Sequence, residues 1–193
     1  MSAKFSSENR LTFDFPHKNS ENRVSELIVY IADKCLDDPT FGKVKLNKIL
    51  YFADFIAFSE YNEPITGVPY MRLDNGPVPQ QMVPVLRALE DRNRIAIRTR
   101  KVYSFERQRV VALTDANLDI FKAREIAIID ELIRVFWGRT AKQISDVSHG
   151  TAWKVARDRE AIPYEASLLS DEGITEDDIN RAQGLIDQHG WDV

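Results

Sequence analysis

The chain has 193 residues, of which 44% are hydrophobic, and its 26 basic and 30 acidic residues give a net charge of -4. This length suits one domain with terminal additions, and the net charge argues against a general polyanion binder that depends on many phosphate contacts. A single cysteine, Cys35, excludes an intramolecular disulfide framework. No apolar run reaches the ~18 residues of a spanning helix, and residues 1–20 lack a signal peptide's apolar core. We therefore expect a cytoplasmic protein without membrane contacts.

The first regular pattern along the chain is that of an amphipathic helix. Apolar residues recur at spacings of three and four from Val24 to Cys35, which predicts a helix over residues 22–37. Because Cys35 continues the apolar stripe, we expect a buried structural side chain there and not a reactive thiol. Residues 1–21 show no sustained period and are predicted to form a flexible N-terminal arm.

The next segment is apolar on every side. From Ile49 to Phe58 the one charged residue is Asp54. A helix that is apolar all round does not sit on a protein surface. We therefore predict that residues 46–61 form a central helix around which the other elements pack.

Short elements separated by turns are predicted to follow the central helix. Residues 70–73 indicate a short extended piece, and the sequence Asn-Gly-Pro at residues 75–77 indicates a turn. A third helix begins near Val83. Two alternating runs, at residues 95–97 and 111–113, predict an antiparallel hairpin.

The C-terminal part of the chain is predicted to hold more helices and an acidic extension. Thr114 or Asp115 should cap a long helix that ends near Phe136, Thr140 should cap a short one, and Thr151 should start a turn around Trp153. Residues 158–193 contain ten acidic and two basic residues and include a predicted terminal helix with a capping box. The predicted fold is mainly helical α+β, a compact helical domain over residues 22–157 with one small antiparallel hairpin.

The usual constellations of an enzyme are missing from this sequence. It has no G-x-G-x-x-G, no phosphate-binding P-loop, no H-E-x-x-H and no C-x-x-C pair. Three histidines and one cysteine supply few ligands for a closed zinc site. A nucleophilic pair of Cys35 and His149 would need an exposed thiol, which the helical stripe opposes. We therefore expect a binding protein with no catalytic residues, no metal and no cofactor.

His149 is the polar residue with the most divergent interpretations. It ends a short predicted helix, where the helix dipole favours a cationic imidazole, and Trp153 lies four positions later. In a structural interpretation, the ring bonds a backbone carbonyl while Trp153 packs on the central helix. In a functional interpretation, both residues line a surface where a partner docks. The sequence leaves both open.

A basic segment interrupts the acidic chain. Residues 87–109 hold eight basic and three acidic residues, a net charge of +5. A helix followed by a basic hairpin is typical of winged-helix DNA binders, although edge strands also use charges against aggregation, and the acidic tail could fold back on this patch. The candidate basic patch, for a toxin or for DNA, consists of Arg92, Arg94, Arg98, Arg100, Lys101, Arg107 and Arg109.

Several short motifs occur in a recognisable order. They are Lys-Leu-Asn-Lys-Ile-Leu-Tyr-Phe-Ala at residues 45–53, Asn-Gly-Pro-Val-Pro at 75–79, Leu-Thr at 113–114, Ser-His at 148–149, and Trp153. Together they resemble the SocA-like Panacea domain over about residues 24–156. The chain departs from the family pattern at Asn47, where members often have Gln, at Asn75, where they often have an aromatic or other residue, and at Ala152, where they often have Pro.

The resemblance implies an antitoxin that is encoded with a toxin, often on phage or other mobile elements, and neutralises it by direct protein contact. Blocking of the toxin and delivery to a protease are both left open, and residues 1–21 and 158–193 are candidates for partner choice. The alternative is a winged-helix DNA-binding regulator, which could also repress its own operon. The candidate partner-binding residues are Lys45, Lys48, Tyr51, Asn75, Gly76, Pro77, His149 and Trp153.

Overall fold

The fold was analysed in a computed structural model, which describes residues 11–15, 17, 19–102, 105–149, 153–154 and 156–169. These residues form a mainly helical α+β domain, as the sequence predicts. The elements in chain order are α1 (Ser20–Lys34), α2 (Lys43–Tyr61), β1 (Tyr70–Met71), β2 (Val78–Pro79), α3 (Met82–Asp91), β3 (Ile95–Val102), β4 (Phe105–Ala112), α4 (Ala123–Phe136), α5 (Ala141–Ser148), β5 (Ala161–Ile162) and a 3-10 helix (Tyr164–Leu168).

Helix α2 is the centre of the domain. Twelve of its 19 residues are buried, which confirms the predicted central helix. It contacts α1, α4, α5, β2, β4 and the 3-10 helix. Its aromatic side chains account for much of this packing: Phe52 meets Phe136 edge to face, and Phe55 and Phe58 lie against Tyr164. The other elements therefore take their positions from α2.

The predicted hairpin and first helix are confirmed, and they pack on each other. Strands β3 and β4 are antiparallel, with Ile95 opposite Ala112 and Val102 opposite Phe105. Helix α1 contacts β4 and buries Cys35 at its C-terminal end. Burial raises the pKa of the Cys35 thiol to about 12, which fits the predicted structural role. Arg109 of β4 donates to the carbonyls of Cys35 and Asp38, so the hairpin also satisfies the end of α1.

The long helix predicted to start at Thr114 or Asp115 is shorter than expected. Helix α4 begins at Ala123, and residues 113–122 are not helical. The carboxylate of Glu26 on α1 accepts the backbone N–H of Asn117, and such a tertiary contact favours the extended loop over helix. The predicted cap of the next helix is confirmed, because the Thr140 hydroxyl accepts from the backbone N–H of Gln143.

The body extends beyond both boundaries that the sequence suggested. Thr12 accepts the backbone N–H of Tyr164, and Phe15 donates to Gly67, so described residues of the N-terminal arm lie on the body. Strand β5 follows residue 157 and pairs with β1, which in turn pairs with β2, giving a second small sheet that was not predicted. The predicted turn start at Thr151 and the predicted terminal helix lie outside the described residues. No helix in the described part of the chain is long and apolar enough to cross a membrane.

Truncation of a buried leucine on α2 should be severe. Leu50→Ala is expected to lower the free energy of unfolding by about 2–5 kcal/mol, since the side chain is fully buried and its loss leaves a cavity. The matched control is Leu36→Ala, whose side chain is 54% exposed, and it should change stability by less than ~0.5 kcal/mol. Urea denaturation measures both values. Equal losses in the two variants would contradict the central position of α2.

Candidate functional site

Helix α2 carries three buried charged residues, and the first of them has a full set of partners. Lys45 is 1% exposed, and its Nζ donates to the Asp38 carboxylate at 2.6 Å and to the Phe136 carbonyl at 2.9 Å. The ammonium holds the pKa of Asp38 below its usual range against the opposing effect of burial. The other two buried charged residues, Lys48 and Asp54, have different kinds of hydrogen-bond partner. Lys45 was a predicted partner-binding residue, and the structure places it in an internal ion pair instead.

Asp54 is also well partnered. Its carboxylate accepts the backbone N–H of Thr66 at 2.6 Å, the Thr66 hydroxyl and the Tyr70 hydroxyl at 2.8 Å. Complete burial raises its pKa to about 6, while these hydrogen bonds act in the opposite direction. Asp54 therefore joins α2 to the segment that leads into β1, and its role is structural.

Lys48 is the exception among the three. Its side chain is 1% exposed, yet it has no carboxylate partner among the described residues. Its Nζ donates to the Pro77 carbonyl across a long distance of 3.4 Å. Burial lowers the pKa of Lys48 to about 7, because a low-dielectric interior disfavours the charged ammonium. A buried lysine in this state is a candidate functional group.

The Gly76 turn covers the end of the Lys48 side chain. Gly76 has φ +93°, a conformation that favours glycine, and a Cβ atom at this position would lie 2.1 Å from Lys48 Nζ and 2.5 Å from Ser148 Oγ. Helix α5 holds the turn in place, since the Ser145 hydroxyl donates to the Asn75 carbonyl at 3.2 Å. The backbone of the turn therefore approaches the ammonium as closely as only a glycine allows.

An aromatic and cationic stack lies beside this turn. The His149 imidazole stacks on Trp153 with ring centroids 4.1 Å apart, and the Arg72 guanidinium lies 3.8 Å from the centre of the same indole. The Trp153 indole N–H donates to the Leu73 carbonyl at 3.1 Å. Arg72 is itself fixed by a hydrogen bond to the Ala156 carbonyl. The three side chains are partly exposed and held in one arrangement.

The His149 imidazole is not stabilised as a cation. Its pKa is lowered, first by burial and then by the positive charge of Lys48, and Arg72 acts in the same direction, whereas Asp146 opposes it. The direction is opposite to the one that the helix dipole alone would favour in the sequence interpretation. His149 Nε2 is buried and finds no hydrogen-bond partner within the described ranges. Its contact with Trp153 therefore comes from stacking.

The structure brings together most of the predicted partner-binding residues. Lys48, Asn75, Gly76, Pro77, His149 and Trp153 meet at one place, although they come from three separate segments. Ser148 and Arg72 were not predicted as site residues, and Arg72 lacked any signal because its role depends on the position of Trp153. Tyr51 is buried against the aromatic rings of Phe55 on α2 and Tyr70 on β1. We call the set of Lys48, Arg72, Gly76, Pro77, Ser148, His149 and Trp153 the Lys48 cluster.

Those residues of the predicted basic patch whose side chains the structure describes fall into two groups, those with hydrogen-bond partners in their own chain and those that are exposed. Arg94 pairs with Glu26 at 2.5 Å, and Arg107 donates to the Pro39 carbonyl at 2.6 Å, in addition to the contacts of Arg109 at the end of α1. Arg92 and Arg98 are exposed, whereas for Arg100 and Lys101 the structure gives only their backbone positions in β3. Arg98 stands opposite Arg109, and Arg100 stands opposite Arg107, so these four share one face of the hairpin. Three of the seven candidates therefore serve internal contacts.

The comparison with known families identifies the domain. The family model described as "Antitoxin SocA-like, Panacea domain" matches residues 46–154, which is more than half of the chain. The chain belongs to this family. Every member of the Lys48 cluster lies within the matched part of the Panacea domain, whereas α1, β5 and the 3-10 helix lie outside it. Searches of the curated proteins and of the solved structures found no match.

The buried ammonium should leave a signature in the pH dependence of stability. The folded-state pKa of Lys48 is about 7 and its ordinary value is 10.5, so between these values the unfolded chain binds more protons than the folded one. The free energy of unfolding should therefore rise with pH from about 7 to about 10.5, and this gain is lost as the pH falls to 7. In Lys48→Met, this rise should be flattened.

The matched control for this measurement is Lys142→Met, which removes an exposed lysine from α5. Urea denaturation at a series of pH values gives the difference between each variant and the parent, which cancels the contribution of the tyrosines that titrate in the same range. An unchanged slope in Lys48→Met would mean that Lys48 keeps its charge in the folded protein.

Proposed function

We propose that this protein is an antitoxin that neutralises a cognate toxin by direct protein–protein binding, and that the exposed rim of the Lys48 cluster forms part of the contact surface. Membership of the antitoxin SocA-like family supports an antitoxin role. The choice of surface depends on one observation: Lys48 is buried without a carboxylate partner among the described residues, and its charge acts on His149, which stacks on the partly exposed Trp153. A protein tolerates such a charge at a cost in stability, which is typical of functional sites.

The rim has the chemistry of an interface anchor. Trp and Arg are the residues most often found at the energetic centres of protein interfaces, and here Arg72 and Trp153 are stacked on each other. Hydrogen bonds to Ala156 and Leu73 fix both side chains before any partner arrives. Because few rotamers are left to freeze, binding at this rim would lose little conformational entropy.

The proposed action is binding without catalysis. Ser148 Oγ and Lys48 Nζ both lie close to Gly76, and a serine beside a neutral lysine is a known arrangement for nucleophilic catalysis. Ser148 Oγ, however, donates to the Ser145 carbonyl at 2.9 Å, and the residue is only 2% exposed. A substrate would need access that this packing denies.

Binding of operator DNA receives less support than toxin binding. A wing that contacts phosphates needs free guanidinium groups, whereas Arg94, Arg107 and Arg109 donate to a carboxylate or to carbonyls of their own chain. Delivery of a toxin to a protease is compatible with the proposed binding step but is not required by it. The proposal is therefore limited to a protein partner.

The neighbouring gene product provides the test of the function. Co-expression of this protein should rescue growth from that product, and the two should copurify through gel filtration. A stable complex of this kind typically buries ~1,600 Å² of surface. Rescue without a physical complex, or no rescue at all, would contradict direct neutralisation.

Substitution of the anchoring tryptophan tests the surface. Trp153→Ala is expected to weaken toxin binding by about 30-fold or more, because the truncation of an interface anchor typically costs at least ~2 kcal/mol. Trp137→Ala is the matched control, since Trp137 is 46% exposed directly after α4 and lies outside the cluster. Isothermal titration calorimetry measures the affinity, and thermal denaturation confirms folding. Equal affinities in the two variants would move the interface elsewhere and leave the antitoxin function in place.

A further inference from the structure

We propose that the Lys48 cluster is a carboxylate-binding site and that its ligand is an acidic side chain of the bound protein. The inference rests on the proposed function, which it deepens by naming the chemistry that the partner must present. It depends on the charges around the cluster, on the Gly76 turn and on a buried nitrogen of His149 that has no hydrogen-bond partner among the described residues.

The first argument is the balance of charge. Three cationic or basic groups, Lys48, Arg72 and His149, gather at one place from α2, from the end of β1 and from α5. Two acidic groups on the neighbouring elements, Asp146 on α5 and Asp74 before Gly76, are exposed to solvent. Two more, Asp158 and Glu160, are exposed in the segment that hydrogen-bonds the backbone of Arg72, and both already contact groups of that segment. None of the four pairs with the ammonium in the described structure. A partner's carboxylate would supply the missing negative charge, which a desolvated cation attracts strongly.

The second argument is the geometry of the cover. Because Gly76 has no side chain, the backbone of the turn comes close to the Lys48 ammonium and to Ser148 Oγ on that side. His149 Nε2 is buried without a partner among the residues described, so a ligand would not contact it directly, although protonation gives the ring a positive charge. A carboxylate at the rim would accept a charge-assisted hydrogen bond from the partly exposed Arg72. The ammonium would act from behind through its field.

The charges at the Lys48 cluster also indicate how many negative charges the ligand carries. Near neutral pH the cluster carries the full charge of the Arg72 guanidinium and part of a charge on Lys48, because the pKa values of Lys48 and His149 are lowered. This positive charge balances a singly charged carboxylate more closely than a dianion such as phosphate. We therefore infer an aspartate or glutamate side chain and not a phosphorylated residue.

Binding of a carboxylate must be coupled to protons. An anion stabilises the protonated forms of Lys48 and His149, whose pKa values are both lowered in the free protein. The complex should therefore take up protons near neutral pH. With Lys48 titrating at about 7, the charged fraction rises about tenfold between pH 8 and pH 6, and the affinity should rise by the same factor.

Acetate is a suitable probe, because it presents one carboxylate and can be added to the isolated protein. The indole N–H signal of Trp153 in a nitrogen–proton NMR spectrum should shift with acetate and saturate. The apparent affinity should be about tenfold higher at pH 6 than at pH 8. Sodium chloride at equal ionic strength should not produce the shift, and inorganic phosphate should produce a weaker one.

Two variants make the test specific. Lys48→Met should abolish the saturable shift, and it should remain folded, because apolar replacement of a buried charge is often neutral or stabilising. Lys142→Met removes the same charge from an exposed position and should behave like the parent protein. An acetate response that does not saturate, or that is equal in Lys48→Met and the parent, would overturn the proposed site.

The test of the carboxylate site can fail while the proposed antitoxin function holds, and the reverse is also possible. If the neighbouring gene product binds the parent and Lys48→Met with equal affinity and without proton uptake, the antitoxin function stands and the carboxylate site falls. If acetate binds as expected but no toxin complex forms, the site stands as an anion site and the proposed function falls. A phosphate response stronger than that of acetate would replace the carboxylate by a phosphorylated ligand and overturn the inference.

Discussion

The burial of α2 on all sides is the constraint on which the rest of the structure depends. A helix in this position places its charged residues in the interior, where an unpaired charge costs several kcal/mol. The domain meets this cost in different ways along one helix. Lys45 has a carboxylate, and Asp54 has hydroxyl and amide donors from the segment before β1, so both fasten neighbouring elements to the centre. In the part of the chain that the structure describes, Lys48 has one hydrogen-bond partner, the distant Pro77 carbonyl.

Lys48 differs from Lys45 and Asp54 in its partners, and this difference sets the candidate site apart from the core. If Lys48 served stability, an acidic partner like Asp38 would be expected beside it, as it is for Lys45 one turn earlier. The fold instead brings a second and a third basic group, Arg72 and His149, to the same place. A buried ammonium without a carboxylate beside it is expected to cost stability, which supports the binding role proposed for this site.

The sequence predicted the elements better than it predicted their partners. All-round apolarity located α2, and the spacing of apolar residues located α1 and the hairpin, because burial dictates these patterns directly. The start of α4 was missed because Glu26 holds a distant backbone N–H, and the burial of Lys45 was missed because Asp38 lies before Gly42 in a turn whose path the sequence does not show. Two-residue strands such as β5 carry too little pattern to be seen at all.

Tyr164 packs on the core although it lies outside the segment that the family model matches. Its ring covers Phe55 and Phe58 on α2, and its hydroxyl donates to the Val68 carbonyl at 2.6 Å. The recognisable segment and the cooperative folding unit are therefore different lengths of chain. A chimaera of this chain joined at the limits of the match would keep the proposed binding surface but expose aromatic core to water. A transplant of this domain must therefore include residues beyond the match at its C-terminal side.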